Sequence, residues 1–224
     1  MDAWFFLSLA LASVEPEPTP TLTLVWHDSS ALFPSAGLAR LGDELEALFR
    51  VNGLPLRFHA ATKNEDMQKI PEPRVNAILL PREDARYGLP ANAMAMALGN
   101  RGGRYSIFVF YPGVLRTLGY GKGDFSPRQL SELSLALARI VAHEVVHALA
   151  PEGGHSESGL MSGKLRRADL LSKAIALDGP SLEQAIAAVR GWAHPTPGSK
   201  FPILPRPPRS IVRPEVQPIC PSAK

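Results

Sequence analysis

Ile140-Val-Ala-His143-Glu144-Val-Val-His147-Ala-Leu-Ala-Pro151-Glu-Gly-Gly-His155-Ser-Glu-Ser-Gly-Leu-Met161 is the stretch of this 224-residue chain whose reading decides its fold. His143, Glu144 and His147 form an H-E-x-x-H motif. On a helix, residues four apart are offset by only about 40° in rotation and roughly 6 Å along the axis, so both imidazoles reach one ion at about 2.0–2.1 Å. Glu144 lies about 100° round from His143, off the line joining the two rings yet within reach of a water on the metal. That is the place of a base, not of a ligand. Beyond His147, Pro151, Gly153 and Gly154 stop the helix and let the chain double back, which makes His155 the candidate third ligand. Three imidazoles with a fourth position open describe a catalytic zinc site.

The residues leading into the motif support the same reading independently. Ser126-Pro127 is a helix start, an N-cap followed by proline at the first helical position, and the helix it opens is expected to run from Pro127 to Leu149. Arg128, Glu132 and Arg139 mark a wet face on its first part. Beyond Arg139 the only polar side chains are His143, Glu144 and His147. A helix apolar all round except for these three is a buried helix, and three isolated polar groups in a core are costly unless a metal ion and water satisfy them.

At these residues the chain resembles the metzincin-type zinc metallopeptidases, in which H-E-x-x-H is followed by a third histidine and a methionine turn. It departs from their standard pattern. Ala150 stands where that pattern has glycine, and His155 lies eight residues after His147, the long spacing of a bacterial metzincin-like group reading H-E-x-x-H-x-L-x-G/P-x-x-x-H-S-x-x-G-I/L-M. The resemblance extends more weakly from Leu22 to about Trp192. It implies His143, His147 and His155 as zinc ligands, Glu144 as the base and Met161 as the turn methionine, although Met161 also reads as an ordinary core residue. The implied activity is peptide-bond hydrolysis by Glu144-assisted attack of zinc-bound water on a peptide or protein substrate. The implied fold is an α+β metzincin-like zincin: a mixed twisted sheet, a long active-site helix and a small helical C-terminal subdomain. No tyrosine follows Met161 closely, so no tyrosine ligand is expected.

Composition narrows the alternatives. With 45% hydrophobic residues, the chain can bury the core of one domain, expected over residues 21–194. The formal charge of +3 belongs to the C-terminal tail, 195–224, where Lys200, Arg206, Arg209, Arg213 and Lys224 face only Glu215. The remainder is near neutral, which argues against nucleic acid as a partner. Residues 1–12, an apolar run ending Ala10-Leu11-Ala12, read as a signal peptide, with 13–20 a Pro/Glu-rich spacer. A secreted or periplasmic location follows, and no apolar run is long enough to span a bilayer. Cys220 is the only cysteine, so no intrachain disulfide can form; it is either a plain tail residue or a thiol able to reach the metal.

Ahead of the motif, Thr21–Trp26 and Leu54–His59 read as parallel strands joined by an amphipathic helix over Gly37–Val51, with Leu38, Leu41, Leu45, Leu48 and Phe49 on one face. Arg74–Leu80 is apolar enough for a central strand, and Pro81–Pro90 is a loop. Ala91–Leu98 is either a short helix or the first arm of a hairpin; the turn Asn100-Arg-Gly-Gly103 and the strand Arg104–Tyr111 favour the hairpin. The resemblance makes that arm an edge strand against which an extended substrate adds. His27 and His59 end strands and are expected to pack or lie at the surface. Past the motif, helices are expected over Leu165–Leu177 and Ser181–Trp192. Two other functions fit the same motif: a non-catalytic secreted domain stapled by structural zinc, and a zinc amidase acting on a non-peptide amide.

Overall fold

The structure, a computed structural model, describes residues 20–63, 65–82, 93–98, 105–121, 123–173, 175–177 and 179–193. The expected signal peptide and most of the spacer, the turn at 100–103, most of the loop after residue 82, and the tail with Cys220 lie outside the described residues.

Alternating β-branched and apolar residues form β1 (Leu22–His27), followed by α1 (Leu38–Arg50) and β2 (Leu56–Ala60), which pairs parallel to β1. The expected strand–helix–strand unit is therefore present. α1 presents Leu41, Leu45 and Phe49 to the interior, each fully buried, and burial of such a side chain is worth about 1.5–3 kcal/mol. β3 (Arg74–Leu80) runs parallel between β1 and β5 (Tyr105–Phe110), as its apolar content suggested. β4 (Ala95–Leu98) pairs antiparallel with β5, so the hairpin reading holds and not the helical one. Among the described residues the sheet order β2-β1-β3-β5-β4 makes β4 an edge strand.

One face of this sheet carries the main core. In β3, Val75, Ala77 and Leu79 are buried while Asn76, Ile78 and Leu80 are half-buried, the alternation of a strand covered by helices on one side. The covering is done by α1 and by α3 (Pro127–Leu149), which share a single apolar cluster with the strands. α3 begins where expected. Ser126 accepts a hydrogen bond from the Gln129 backbone while the Gln129 side chain accepts one from the Ser126 backbone, a closed capping box. From Ala136 to Leu149 every residue is buried, so this helix lies inside the molecule over its last four turns.

Three expectations need correction. Arg139 is not on a wet face: it is 6% exposed and donates to the backbone carbonyls of Asp169 and Leu170, which satisfy part of its guanidinium inside the protein. Tyr111 does not end a strand but opens α2 (Tyr111–Leu118), with Pro112 in its first turn and Gly119 closing it in the left-handed conformation at φ 72°. The helix expected over Leu165–Leu177 is only α4 (Arg167–Leu171). It stops because Ser172 is extended, and the chain beyond pairs its backbone elsewhere, Ala176 accepting from Leu160 N–H at 2.8 Å. α5 (Pro180–Ala193) ends the described chain. The mixed sheet, long internal helix and small helical C-terminal part are the α+β architecture expected.

α2 is docked by an absence. A Cβ placed on Gly113 would lie 2.0 Å from the Ala93 carbonyl oxygen, backbone that cannot swing aside. Gly113→Ala is expected to lower unfolding stability by about 1–3 kcal/mol or more, read as a fall in the urea midpoint of the metal-free protein.

Candidate metal centre

The last two turns of α3 carry His143, Glu144 and His147 at 0%, 1% and 7% exposure. The Nε2 atoms of the two histidines are 3.0 Å apart. Two nitrogens bound tetrahedrally to one ion at about 2.0–2.1 Å lie about 3.3 Å from each other, so the helix already holds the pair near the spacing of adjacent ligands. The other face of His143 sets its tautomer. Its Nδ1 is 2.7 Å from the Leu160 carbonyl oxygen, which can only accept, so the proton sits on Nδ1 and Nε2 turns its lone pair toward His147. His147 in turn lies close to the backbone of Gly153.

Past Leu149 the chain turns as Pro151, Gly153 and Gly154 suggested. Gly153 N–H donates to the Ala150 carbonyl, and Ser181 Oγ, near the start of α5, donates to the Gly154 carbonyl at 2.9 Å. A side chain at Gly153 would collide with this clasp, its Cβ falling 2.6 Å from Ser181 Oγ. The turn delivers His155 to the helical pair. The ligand atoms of His143, His147 and His155 all lie within 4.8 Å of one another, with the His155 ring centroid 5.3 Å from that of His143 and 4.8 Å from that of His147. Beyond His155 the chain closes a small loop: Ser156 N–H donates to the Met161 carbonyl at 2.9 Å, and Gly159 makes the reversal at φ 74°. Met161 is buried in the main core on the return of this loop.

The electrostatics suit a cation site. Burial, then the neighbouring His147, pushes His143 down to about 3; burial, then His155, pushes His147 down to about 4; burial lowers His155 as well. At neutral pH these rings are uncharged and offer lone pairs. Both Glu144 oxygens are buried without a hydrogen-bond partner, and burial raises this carboxyl to about 8. The backbone of Ala97, on β4, is close enough to pull in the other direction but is not in hydrogen-bonding geometry. Three neutral imidazoles beside an orphaned carboxylate suit a borderline divalent ion such as zinc, with water to satisfy the carboxylate.

Among the described residues the other histidines stand apart from this group. His27 Nε2 is 3.1 Å from Asn76 Oδ1, and His59 Nε2 is 2.7 Å from Glu65 Oε1. Both therefore pack at strand ends, as expected. Leu160 and Ser181 were not singled out beforehand, since a carbonyl contact and a clasp across 27 residues leave no local pattern. The run of glycines around His155 was the only sequence signal of how tightly this segment packs.

No family model matches the chain, and no curated protein does. Among solved structures, archaemetzincin from Methanopyrus kandleri aligns with a TM-score of 0.45 at 13% identity, covering 79% of this chain and 98% of that one. A zinc-dependent peptidase from Methanocorpusculum labreanum aligns with a TM-score of 0.46 at 14% identity, covering 73% of this chain and 99% of that one. At this similarity neither alignment transfers an activity or a residue role.

The buried groups impose a pH dependence on the metal-free fold. Between about pH 4.5 and 6.5 the unfolded chain carries protons on His143 and His147 that the folded chain lacks, against the single extra proton the folded chain keeps on Glu144; stability therefore rises with pH. Above about 6.5 only Glu144 differs, now in favour of the folded state's proton, so stability falls toward pH 8. Thermal melts in chelator should show a maximum near pH 6.5, with Glu144→Gln flattening the alkaline limb and steepening the acid limb, since the opposing Glu144 proton is gone.

Proposed function

We propose that the chain is a zinc-dependent metallopeptidase of metzincin type, with His143, His147 and His155 holding the ion and Glu144 acting as general base and then general acid. The observation that carries this reading is the convergence of the three imidazoles, within 4.8 Å, beside a buried carboxylate with no partner of its own. A divalent ion held there supplies Lewis acidity for a carbonyl and for water. Glu144 Oε takes a proton from the attacking water and delivers it to the leaving amine nitrogen, and its burial keeps bulk water from competing for that proton. β4 offers the natural seat for an extended peptide: it is an edge strand, it carries the small residues Ala95 and Ala97, and Ala97 adjoins Glu144. Met161, buried on the return of the loop that carries His155, fits the role of turn methionine. The reading extends to export, on the strength of the N-terminal apolar segment.

Metal analysis of purified protein should find zinc, and a diverse peptide library should be cleaved in a chelator-sensitive way. Glu144→Gln is expected to keep the metal and lose on the order of 10²- to 10⁴-fold in turnover. Alanine at His143, His147 or His155 should lose both. Undiminished turnover by Glu144→Gln would overturn the role of the base. Cleavage of small acyl amides but not of peptides would move the assignment to an amidase, and firmly bound zinc with no turnover of either class would move it to a structural staple.

A further inference from the structure

Resting on the metal reading above, the geometry points to Gly163 as the positioning residue for His155: the absence of a side chain at this position lets the third imidazole stand where it can share an ion with the helical pair. His143 and His147 are fixed by α3 itself. His155 is not; it sits on a loop and is exposed. Its backbone is tied by the Ser156–Met161 hydrogen bond and by a bridge between Ser156 and Ser162, which brings the residue after Ser162 against the imidazole. A Cβ on Gly163 would lie 3.2 Å from both Cγ and Nδ1 of His155 and 3.6 Å from its Cβ, and it would meet nothing nearer. The ring is thus the neighbour that a methyl group at 163 would displace.

Where that displacement is felt depends on whether the ion is bound. Without metal an exposed ring retreats by a few tenths of an ångström into solvent at little cost. With metal it is held at a bond length of about 2.0–2.1 Å and cannot retreat without weakening that bond. The backbone adds no penalty of its own, because Gly163 is not among the glycines with positive φ. Replacing glycine at such a position leaves the metal-free fold as stable as before, or slightly more so, through the lower entropy of the unfolded chain. The cost falls on the metal complex alone. That distinguishes Gly163 from Gly113 and Gly153, where the atoms met are backbone or a clasp that holds the fold together.

The test measures zinc affinity by competition with a chromophoric chelator, and metal-free melting temperature, for wild type, Gly163→Ala, Gly163→Val and Lys164→Ala, an exposed neighbour. Gly163→Ala should lose on the order of 10-fold in zinc affinity, and Gly163→Val more, in the range typical of residues supporting metal ligands. Neither metal-free melting temperature should fall for Gly163→Ala or Lys164→Ala, and Lys164→Ala should bind zinc as wild type does. The cobalt-substituted Gly163→Ala protein should show a ligand-field spectrum shifted from that of wild type. Wild-type affinity and spectrum in Gly163→Ala would overturn this inference and leave the metal site standing. A drop in metal-free stability parallel to the drop in affinity would also overturn it, by making Gly163 a packing residue. Failure of the wild-type protein to bind zinc would instead remove the metal reading itself.

Discussion

A carboxylate in an apolar core has to be satisfied or neutralised, and Glu144 is neither hydrogen-bonded nor paired. Leaving such a group buried costs several kcal/mol unless it takes up a proton, which is the direction its pKa has moved. Glu144 cannot escape to solvent, because α3 is buried on every side over its last turns. The same helix fixes His143 and His147 in an equally dry place, where burial keeps both rings neutral. Structure and candidate chemistry thus share one cause: a segment apolar enough to be the centre of the core also carries three polar side chains that an ion and water would satisfy together.

The rest of the C-terminal half is laid onto α3 by polar contacts that run along it. Near its start, Glu132 accepts from Tyr120 Oη and from Arg128, and Arg167 of α4 reaches the same carboxylate at 3.0 Å. These donors, Tyr120 foremost and then Arg128, pull Glu132 down to about 2. Two turns on, Arg139 holds the carbonyls of Asp169 and Leu170; one turn further, His143 holds that of Leu160. The chain after the motif is therefore pinned at three levels of one helix, and the innermost pin is itself a candidate ligand. A residue that orients His143 is at the same time a residue that docks the loop carrying His155. Ligand geometry and the packing of α4 are in this way parts of one arrangement.

What was legible beforehand followed from periodicity and punctuation. β3 and α3 were found with their observed boundaries because an apolar strand run and a Ser-Pro helix start are local signals. α2 was missed because Tyr111 continues an apolar strand pattern, and only Pro112 and the left-handed Gly119 mark the change. Arg139 was misplaced because a helical wheel treats every arginine as wet, whereas its partners are carbonyls about thirty residues away. The helix expected through Leu177 had suitable propensity throughout, but a backbone pairing between Ala176 and Leu160 overrode it. Of the candidate site, the three histidines that converge were singled out by their spacing. The bare Cα and the backbone oxygen that lie against them were not.

The long interval between His147 and His155 is best understood through its two glycine contacts. An extra pair of residues in a surface turn adds little loop-closure entropy in principle, but a longer turn has more ways to misplace the residue it delivers. Here the added length is taken up by contacts rather than left free. Ser181 clasps Gly154 from α5, and the clasp closes only because Gly153 has no side chain. On the far side the Ser156–Ser162 bridge returns the chain so that Gly163 lies against the imidazole. His155 is therefore bracketed by two glycines, one before it where a Cβ would collide with Ser181 and one after it where a Cβ would press on the ring itself. Such a bracket gives a loop-borne ring some of the fixity that a helix gives its own residues, and a longer turn can then serve a site whose other two candidate ligands lie on α3.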